Sequence, residues 1–322
     1  MIIDEPRSIV AVERVAYDSV KPFVACPGED TLGVASVLAG KVVDGVHVAR
    51  SYMNETYGGG SFENVPGFNS TAILTTEIAQ SGIVRWPQLN SSAESRSDID
   101  GFVPESVIDS DTRRAVPGAA SLPWRCIVLL QIFYRSGQTG RGTGWFIGPK
   151  TIVTAAHCIH HESAGDAIRI IVTPGYDRGA APYGQFEVSG SLWNPAWRSS
   201  YDPVLDFALL FLNQDPGVGY FGFAAAPDPN LQRVIVNIAG YPKDRPSTQW
   251  YDAGRVSKAD ANFIYHQIDT EEGQSGAPLF WTDRVQRIGL GIHTYGANSM
   301  QPNNRARRIT PELFTLFQQN IR

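Results

Sequence analysis

Three cysteines, Cys26, Cys126 and Cys158, are all that this chain of 322 residues contains. So small and odd a number cannot make a disulfide scaffold: at most one bridge forms, and the spacing matches no zinc pattern. Cysteine usage is therefore silent on compartment. A basic excess is missing as well. With 27 Lys+Arg against 32 Asp+Glu and a net charge of −5, nothing in the charge balance favours nucleic acid or an anionic membrane as a partner. Long apolar runs are also missing. "TLGVASVLAG" is soon followed by Lys41 and Asp44, and is too short to cross a bilayer. The opening "MIIDEPRSIV" has no basic n-region and no apolar h-region, so no signal peptide is read there.

What is present is an ordinary globular composition, 43% hydrophobic and 18% charged, long enough for two domains or for one large unit with an appendage. The charge is unevenly divided: residues 1–105 carry a net −7 and residues 106–322 a net +2. Between them "NSSAESRSDIDGFVPESVIDSDTRR" (90–114) is polar and acidic, a linker by composition. The first half has short β-leaning runs at Ile9–Val12, Val42–Val48 and Thr71–Ile78, but no assembled chemistry. Its Asn-x-Ser/Thr triplets at Asn54, Asn69 and Asn90 are glycan acceptors only in a eukaryotic secretory setting.

The second half alternates strand-length apolar runs with Gly, Pro, Asn and Asp: "CIVLLQIFY", "GWFIG", "IRIIV", "FALLFL", "VIVNIAGY", "FIYHQI", "IGLGIH". This pattern predicts an all-β sandwich or barrel rather than a βαβ fold. One helix is expected at the end. Thr310 suits its cap and Pro311 its first position, and Leu313, Phe314, Phe317 and Ile321 share a face.

Three segments of this half belong together chemically. "TIVTAAHCIHH" carries His157, "YDPVLDFALLFL" carries Asp206, and "DTEEGQSGAPLF" carries Ser275. A serine hydroxyl is a weak nucleophile without an adjacent base, and the base needs an acid to fix its tautomer and stabilise its cation. Asp206 opens an apolar run, where desolvation suits that third role. The N–H groups of Gly273 and Ser275 can bind a developing oxyanion. Each piece alone has a plainer reading, as a structural histidine, a turn aspartate or a loop serine. Asp202 is a rival for Asp206 but lacks the apolar run directly after it. His160 and His161 are rivals for His157 and read as surface histidines in a polar loop.

With those residues in view, the chain resembles the chymotrypsin-like (trypsin-like) serine proteases, whose order is His, Asp, Ser. Within them it is most similar to the glutamyl endopeptidase branch. That resemblance rests on "ESVIDSDTRRAV", "GTGWFIGPKTIVTAAHC", "GYFGF", "IAGYPKD", "STQW", "GIHTYG" and "RRITPELF", in order over nearly all of 106–322 and not beyond. It implies two six-stranded antiparallel β-barrels with a C-terminal helix, preceded by a pro-segment, residues 1–105, of uncertain fold. The implied activity is that of a serine endopeptidase, made as a zymogen and needing no metal or cofactor. Its partners would be protein or peptide substrates and its own pro-segment, and it would act as an extracellular monomer.

The resemblance also assigns specificity. A Glu side chain at P1 would be held by His293 of "GIHTYG" and Thr270 of "DTEEGQS", and Thr294, Tyr295 and Gly296 would offer backbone to an extended substrate. It places the mature amino terminus at Ser106, whose freed amine would join the carboxylate site. Glu105 before it suits self-cleavage. Two features depart from the family. Glu271 and Glu272 stand before the oxyanion glycine, where relatives carry neutral or small residues, and would oppose a Glu substrate unless they face solvent or pair with a cation. Gly142 stands where many relatives have the cysteine that pairs with the one beside the histidine, so Cys158 stays free or finds Cys126. The competing readings are the same protease with another P1 preference, and a proteolytically silent binding protein on this fold.

Overall fold

Turn residues cut the second half into strands, and the strands gather into two sheets. The computed structural model describes residues 13–16, 41–43, 46–49, 106–108, 110–226, 228–232, 234–246, 248–282 and 287–322. The remaining residues, including Cys26, the three Asn-x-Ser/Thr triplets, the runs Ile9–Val12 and Thr71–Ile78, and Glu105, lie outside the described residues. From the first half come β1 (Glu13–Ala16), β2 (Lys41–Val43) and β3 (Val46–Ala49); the last two pair antiparallel and overlap the expected run Val42–Val48. β4 (Arg114–Ala115) follows.

The first sheet contains β5 (Ile127–Tyr134), β6 (Thr139–Gly148), β7 (Thr151–Thr154), β8 (His160–His161), β9 (Gly165–Pro174), β10 (Phe186–Glu187), β11 (Gly190–Trp193) and β12 (Ala208–Phe211). Its six longer strands run in the order β11-β12-β7-β6-β5-β9 and curl into a half-barrel, with β1 added beside β11. The second sheet contains β13 (Gly222–Ala225), β14 (Ile235–Gly240), β15 (Trp250–Ala259), β16 (Phe263–His266), β17 (Pro278–Thr282), β18 (Arg287–Tyr295) and β19 (Asn304–Arg308). Here β17-β14-β15-β16-β19-β18 closes on itself, because β17 also pairs β18, giving a six-stranded barrel without edges. β13 joins β18 in parallel and carries β3 on its other side.

The expected two-barrel architecture is thus present, with the second barrel closed and the first open. One aromatic cluster joins them: Trp145 of β6 meets Phe221 edge-on at 5.8 Å, and Phe221 meets Phe280 of β17 at 5.1 Å. Such T-shaped contacts suit the ring quadrupoles as well as burying area. The terminal helix, Pro311–Asn320, packs onto the same seam through Phe314 and Phe317, which lie 5.0 and 5.9 Å from Phe223. Thr310 caps it by accepting from the Leu313 N–H, and Pro311 begins it. Ile321 falls just past the last turn, in extended backbone, rather than on the helix face.

Composition mislabels one segment. Residues 106–114 read as part of a linker, yet the described ones, 106–108 and 110–114, lie against the second barrel. The buried Asp269 carboxylate accepts from the N–H groups of Ile108 and Thr112, both at 2.7 Å, and from the Thr112 hydroxyl at 2.8 Å. β4 then pairs β15. Two of these three donors to Asp269 are backbone N–H groups, which composition does not reveal, so a bound arm and a free linker read alike.

Candidate active site

β7 and β12 are antiparallel neighbours, with Ala208 opposite Thr154. The turn leaving β7 and the turn entering β12 therefore meet at one end of the sheet. The first is a single 3-10 turn, Ala156–Cys158, which carries His157. The second is Pro203–Leu205, capped by Asp202, whose carboxylate accepts from the Val204 N–H; Asp206 follows it. Asp206 is wholly buried and uses both oxygens on His157: Oδ1 accepts the backbone N–H at 3.0 Å and Oδ2 pairs with Nδ1 at 2.8 Å. An ionised carboxylate only accepts, so Nδ1 carries the proton in this pair. Burial works against charging His157. The Asp206 carboxylate, through its charge and its hydrogen bond, leads the groups that outweigh it and hold the imidazole well above its usual range.

The Ser275 loop comes from the second barrel and is fixed by backbone that only glycine can supply. Gly273 sits at φ +101°, and a Cβ there would lie 2.6 Å from the Tyr241 carbonyl oxygen. Gly276 sits at φ +87°, and a Cβ there would run into the Thr143 carbonyl oxygen and the Thr154 hydroxyl. Both the left-handed backbone and the close approach exclude a side chain. The loop is also tied across the seam. Thr143 of β6 donates its N–H to the Ser275 carbonyl at 2.9 Å and its hydroxyl to the Gly273 carbonyl at 2.8 Å. The Cys158 Sγ lies 3.9 Å from the same Ser275 carbonyl. Nothing local in the sequence marks Thr143, a threonine in mid-strand, as a cross-barrel clasp.

Beside this loop is a group of buried polar side chains. Thr270, His293 and Thr294 have no exposure, and the Thr270 and Thr294 hydroxyls and both His293 ring nitrogens lack hydrogen bonds of normal geometry among the described residues. His266, on the neighbouring β16, is equally buried and stands against His293. Burial keeps both imidazoles neutral, pushing His266 down to about 3; His293, which also faces His266 and His157, falls well below its usual value. Buried polar groups are normally paired, so such a cluster points to a polar ligand. Tyr295 is buried with its ring centroid 6.4 Å from that of His157. Burial, and next the Asp206 carboxylate to which its hydroxyl bonds, hold its phenol well above the usual range. Gly296 is buried too. Ser106 reaches the group from the arm: its carbonyl accepts from the Thr270 N–H at 3.2 Å.

The rivals fall elsewhere. Asp202 is a cap. His160 is part of a polar cluster rather than an exposed residue: its ring pairs with Asp166 at 2.7 Å and Tyr201 at 3.1 Å, and stacks on Trp193. His161 pairs with the Ser163 hydroxyl. Glu272 has found a cation, Lys243, whose Nζ holds both carboxylate oxygens at 2.8 and 3.0 Å. Glu271 turns back on its own loop and accepts from the Glu272 N–H. Cys126 and Cys158 are both free and buried, and Gly142 leaves room for the Cys158 sulfur. Among the described residues no three His, Cys, Asp or Glu side chains gather as metal ligands would, and no helix is long and apolar enough to cross a membrane.

A family model described as the trypsin-like peptidase domain matches residues 142–290. A glutamyl endopeptidase from Bacillus licheniformis is 36% identical over 219 residues, spanning 65% of this chain and 67% of that protein. A Bacillus subtilis protein named extracellular metalloprotease is 30% identical over 233 residues, 70% of this chain and 72% of its own. Among solved structures, a Glu endopeptidase matches with a TM-score of 0.56 at 25% identity, covering 66% of this chain and 98% of the other. Protease Anisep from Arthrobacter nicotinovorans matches with a TM-score of 0.53 at 19% identity, over 64% of this chain and 98% of its own, and so shares the fold. The chain belongs to the trypsin-like peptidases, in the glutamyl endopeptidase branch. It is a serine endopeptidase, a hydrolase of peptide bonds.

Proposed function

We propose that this protein is a glutamate-preferring endopeptidase made as a secreted zymogen, with residues 1–105 as pro-segment and 106–322 as the protease domain. Ser275 is the nucleophile, His157 the general base and acid, and Asp206 the residue that orients it. The observation that carries the reading is the double hold of Asp206 on His157, at 3.0 and 2.8 Å, in a fully buried carboxylate. Ser275 Oγ bonds to the substrate carbonyl carbon as His157 Nε2 takes its proton, and the new oxyanion is met by the N–H groups of Gly273 and Ser275. His157 returns the proton to the leaving amine as the C–N bond breaks. Water, giving a proton to His157, then bonds to the acyl carbon; the bond to Ser275 Oγ breaks, His157 returns the proton to Oγ, and the acid is freed.

Glutamate at P1 is received by the His293 ring and the Thr270 hydroxyl, and by the Ser106 amine once it is free. Thr294, Tyr295 and Gly296 pair with the substrate backbone as an added strand. The wholly buried polar atoms of Thr270 and His293, which lack hydrogen bonds of normal geometry among the described residues, support this reading, since a carboxylate can accept from both. The Lys243–Glu272 pair supports it as well, because it neutralises the acid nearest the oxyanion glycine.

The test is the intact mass and amino-terminal sequence of the purified chain after incubation, beside its Ser275→Ala variant. A new Ser106 terminus only in the wild type, with labelling by an active-site serine phosphonate and cleavage of P1 Glu peptides over P1 Gln, is the expected result. A wild type that stays unlabelled and inactive after the 105–106 junction is opened would sink the assignment.

A further inference from the structure

In the intact chain Ser106 already lies across the proposed pocket. Its carbonyl accepts from Asn304 Nδ2 at 2.7 Å as well as from Thr270 N at 3.2 Å. Its hydroxyl donates to the Ala297 carbonyl at 3.1 Å, and its N–H is directed at Asn304 Oδ1, 3.4 Å away. Thr270 follows β16 and Ala297 follows β18, so the two contacts stand on separate walls. Asn304 joins them. It opens β19, which pairs with both strands, and it has no exposure. Besides its two bonds to Ser106, Nδ2 donates to the Ile268 carbonyl at 2.9 Å and Oδ1 accepts from the Ala297 N–H at 2.8 Å. A carboxamide has two N–H donors and two lone pairs, and all four are engaged here.

We propose that Asn304 is the seat of the mature amino terminus: it fixes Ser106 across the pocket before cleavage, so that maturation adds a charge there without rebuilding the walls. The inference rests on the reading of the Ser106 amine as part of the carboxylate site. Hydrolysis of the Glu105–Ser106 bond sends the new carboxylate away with 1–105 and leaves an amine, which binds a proton near neutral pH. An ammonium directed at Asn304 Oδ1 makes a charge-assisted hydrogen bond. Because the carboxamide is neutral, it orients the cation without cancelling its charge. An aspartate of the same shape would cancel it. The buried Asp269, which holds Ile108 and Thr112, keeps the arm behind the terminus in place. Asn304 acts through Ser106 and is a positioning residue.

The experiment opens the full-length chain and its Asn304→Asp and Asn304→Ala variants after Glu105. It then measures kcat/KM on two peptides differing only in Glu or Gln at P1, over a pH range spanning an α-amine titration at about 8. In the wild type the Glu/Gln ratio falls as pH rises through that titration. In Asn304→Asp the neutral-pH ratio drops on the order of tenfold or more, the loss expected when a charged hydrogen-bonding partner is disarmed. The midpoint moves up, because the amine gains a counter-charge. Asn304→Ala lowers the ratio without raising the midpoint.

An Asn304→Asp variant that cleaves the Gln peptide normally, with ratio and midpoint both unchanged, overturns the proposal. If both variants fold too poorly to cleave either peptide, the wild type still decides. Labelling of its Ser106 amine by an acylating reagent should be slow, and labelling as fast as at a freely exposed terminus overturns the proposal. A chain opened one residue earlier, so that Glu105 precedes Ser106, separates the two levels. If it keeps the full Glu preference, the amine reading falls. If it loses that preference while Asn304→Asp retains it, only the assignment of Asn304 falls.

Discussion

The imidazoles of His266 and His293 lie 5.4 Å apart and tilted by 51°, both wholly buried inside the second barrel. Burial holds His266 down to about 3 and His293 well below its usual value, so the folded protein keeps both neutral where the unfolded chain protonates them. Between about 3 and the ordinary histidine value near 6.5, the unfolded state binds more protons, and stability must fall as pH falls. The slope is up to about 1.4 kcal/mol per pH unit for each such histidine. Urea unfolding at a series of pH values across that window should show this loss, and a His266→Gln variant should show a shallower one. An equal slope in the variant would mean that His266 is not the group responsible.

Thr270→Val should separate binding from stability. The hydroxyl makes no hydrogen bond among the described residues and is wholly buried, so its removal leaves nothing newly unpaired. The melting temperature should hold or rise. On a P1 Glu peptide kcat/KM should fall roughly ten- to hundredfold, the range for a lost hydrogen bond to a charge. Steady-state kinetics with P1 Glu and P1 Gln peptides checks it, and an unaltered Glu value would remove Thr270 from the pocket.

The acid limb of activity should lie above the usual histidine range. In the proposed mechanism His157 must be neutral to take the Ser275 proton, and its environment favours the cation. As pH falls through that raised value, kcat/KM should fall with it. Asp206→Asn removes the main favourable charge, so the limb should move to lower pH while the rate drops by roughly ten-thousandfold. A pH–rate profile of both proteins decides, and a limb that stays in place would detach it from the His157–Asp206 pair.

Lys243→Gln should expose the charge on Glu272. Both side chains are well exposed, so the pair contributes little to folding. Its effect belongs to the substrate's charge. Cleavage of P1 Glu peptides should fall a few-fold at low salt, and the deficit should shrink as salt screens it. Peptide kinetics at two ionic strengths tests this, and a deficit indifferent to salt would point to a structural cause.

The parts of this protein that could be read in advance are those whose physics is local. Thr310 and Pro311 announce a helix start within four residues, and apolar runs between turn residues announce strands. Even His157 and Asp206 are local signals, each lying next to a strand whose burial the sequence reveals. Asn304 sits in "QPNNRARR", which reads as loop polarity, and His266 in "FIYHQI" reads as one residue of a strand. Their meaning comes only from long-range strand pairing, which sets β16, β19 and β18 side by side. The arm 106–114 was opaque for the same reason: its partner, Asp269, is 157 residues away from Thr112.

The clasp of Thr143 on the Ser275 loop bears on inheritance as much as on chemistry. His157 and Asp206 grow from the first sheet, the Ser275 loop from the second, and Trp145, Phe221 and Phe280 interlock between them. Neither barrel is therefore an exchangeable module. A hybrid that drew one half from this chain and the other from a distant relative would inherit the proposed catalytic side chains and a mismatched seam, and the seam decides whether they meet.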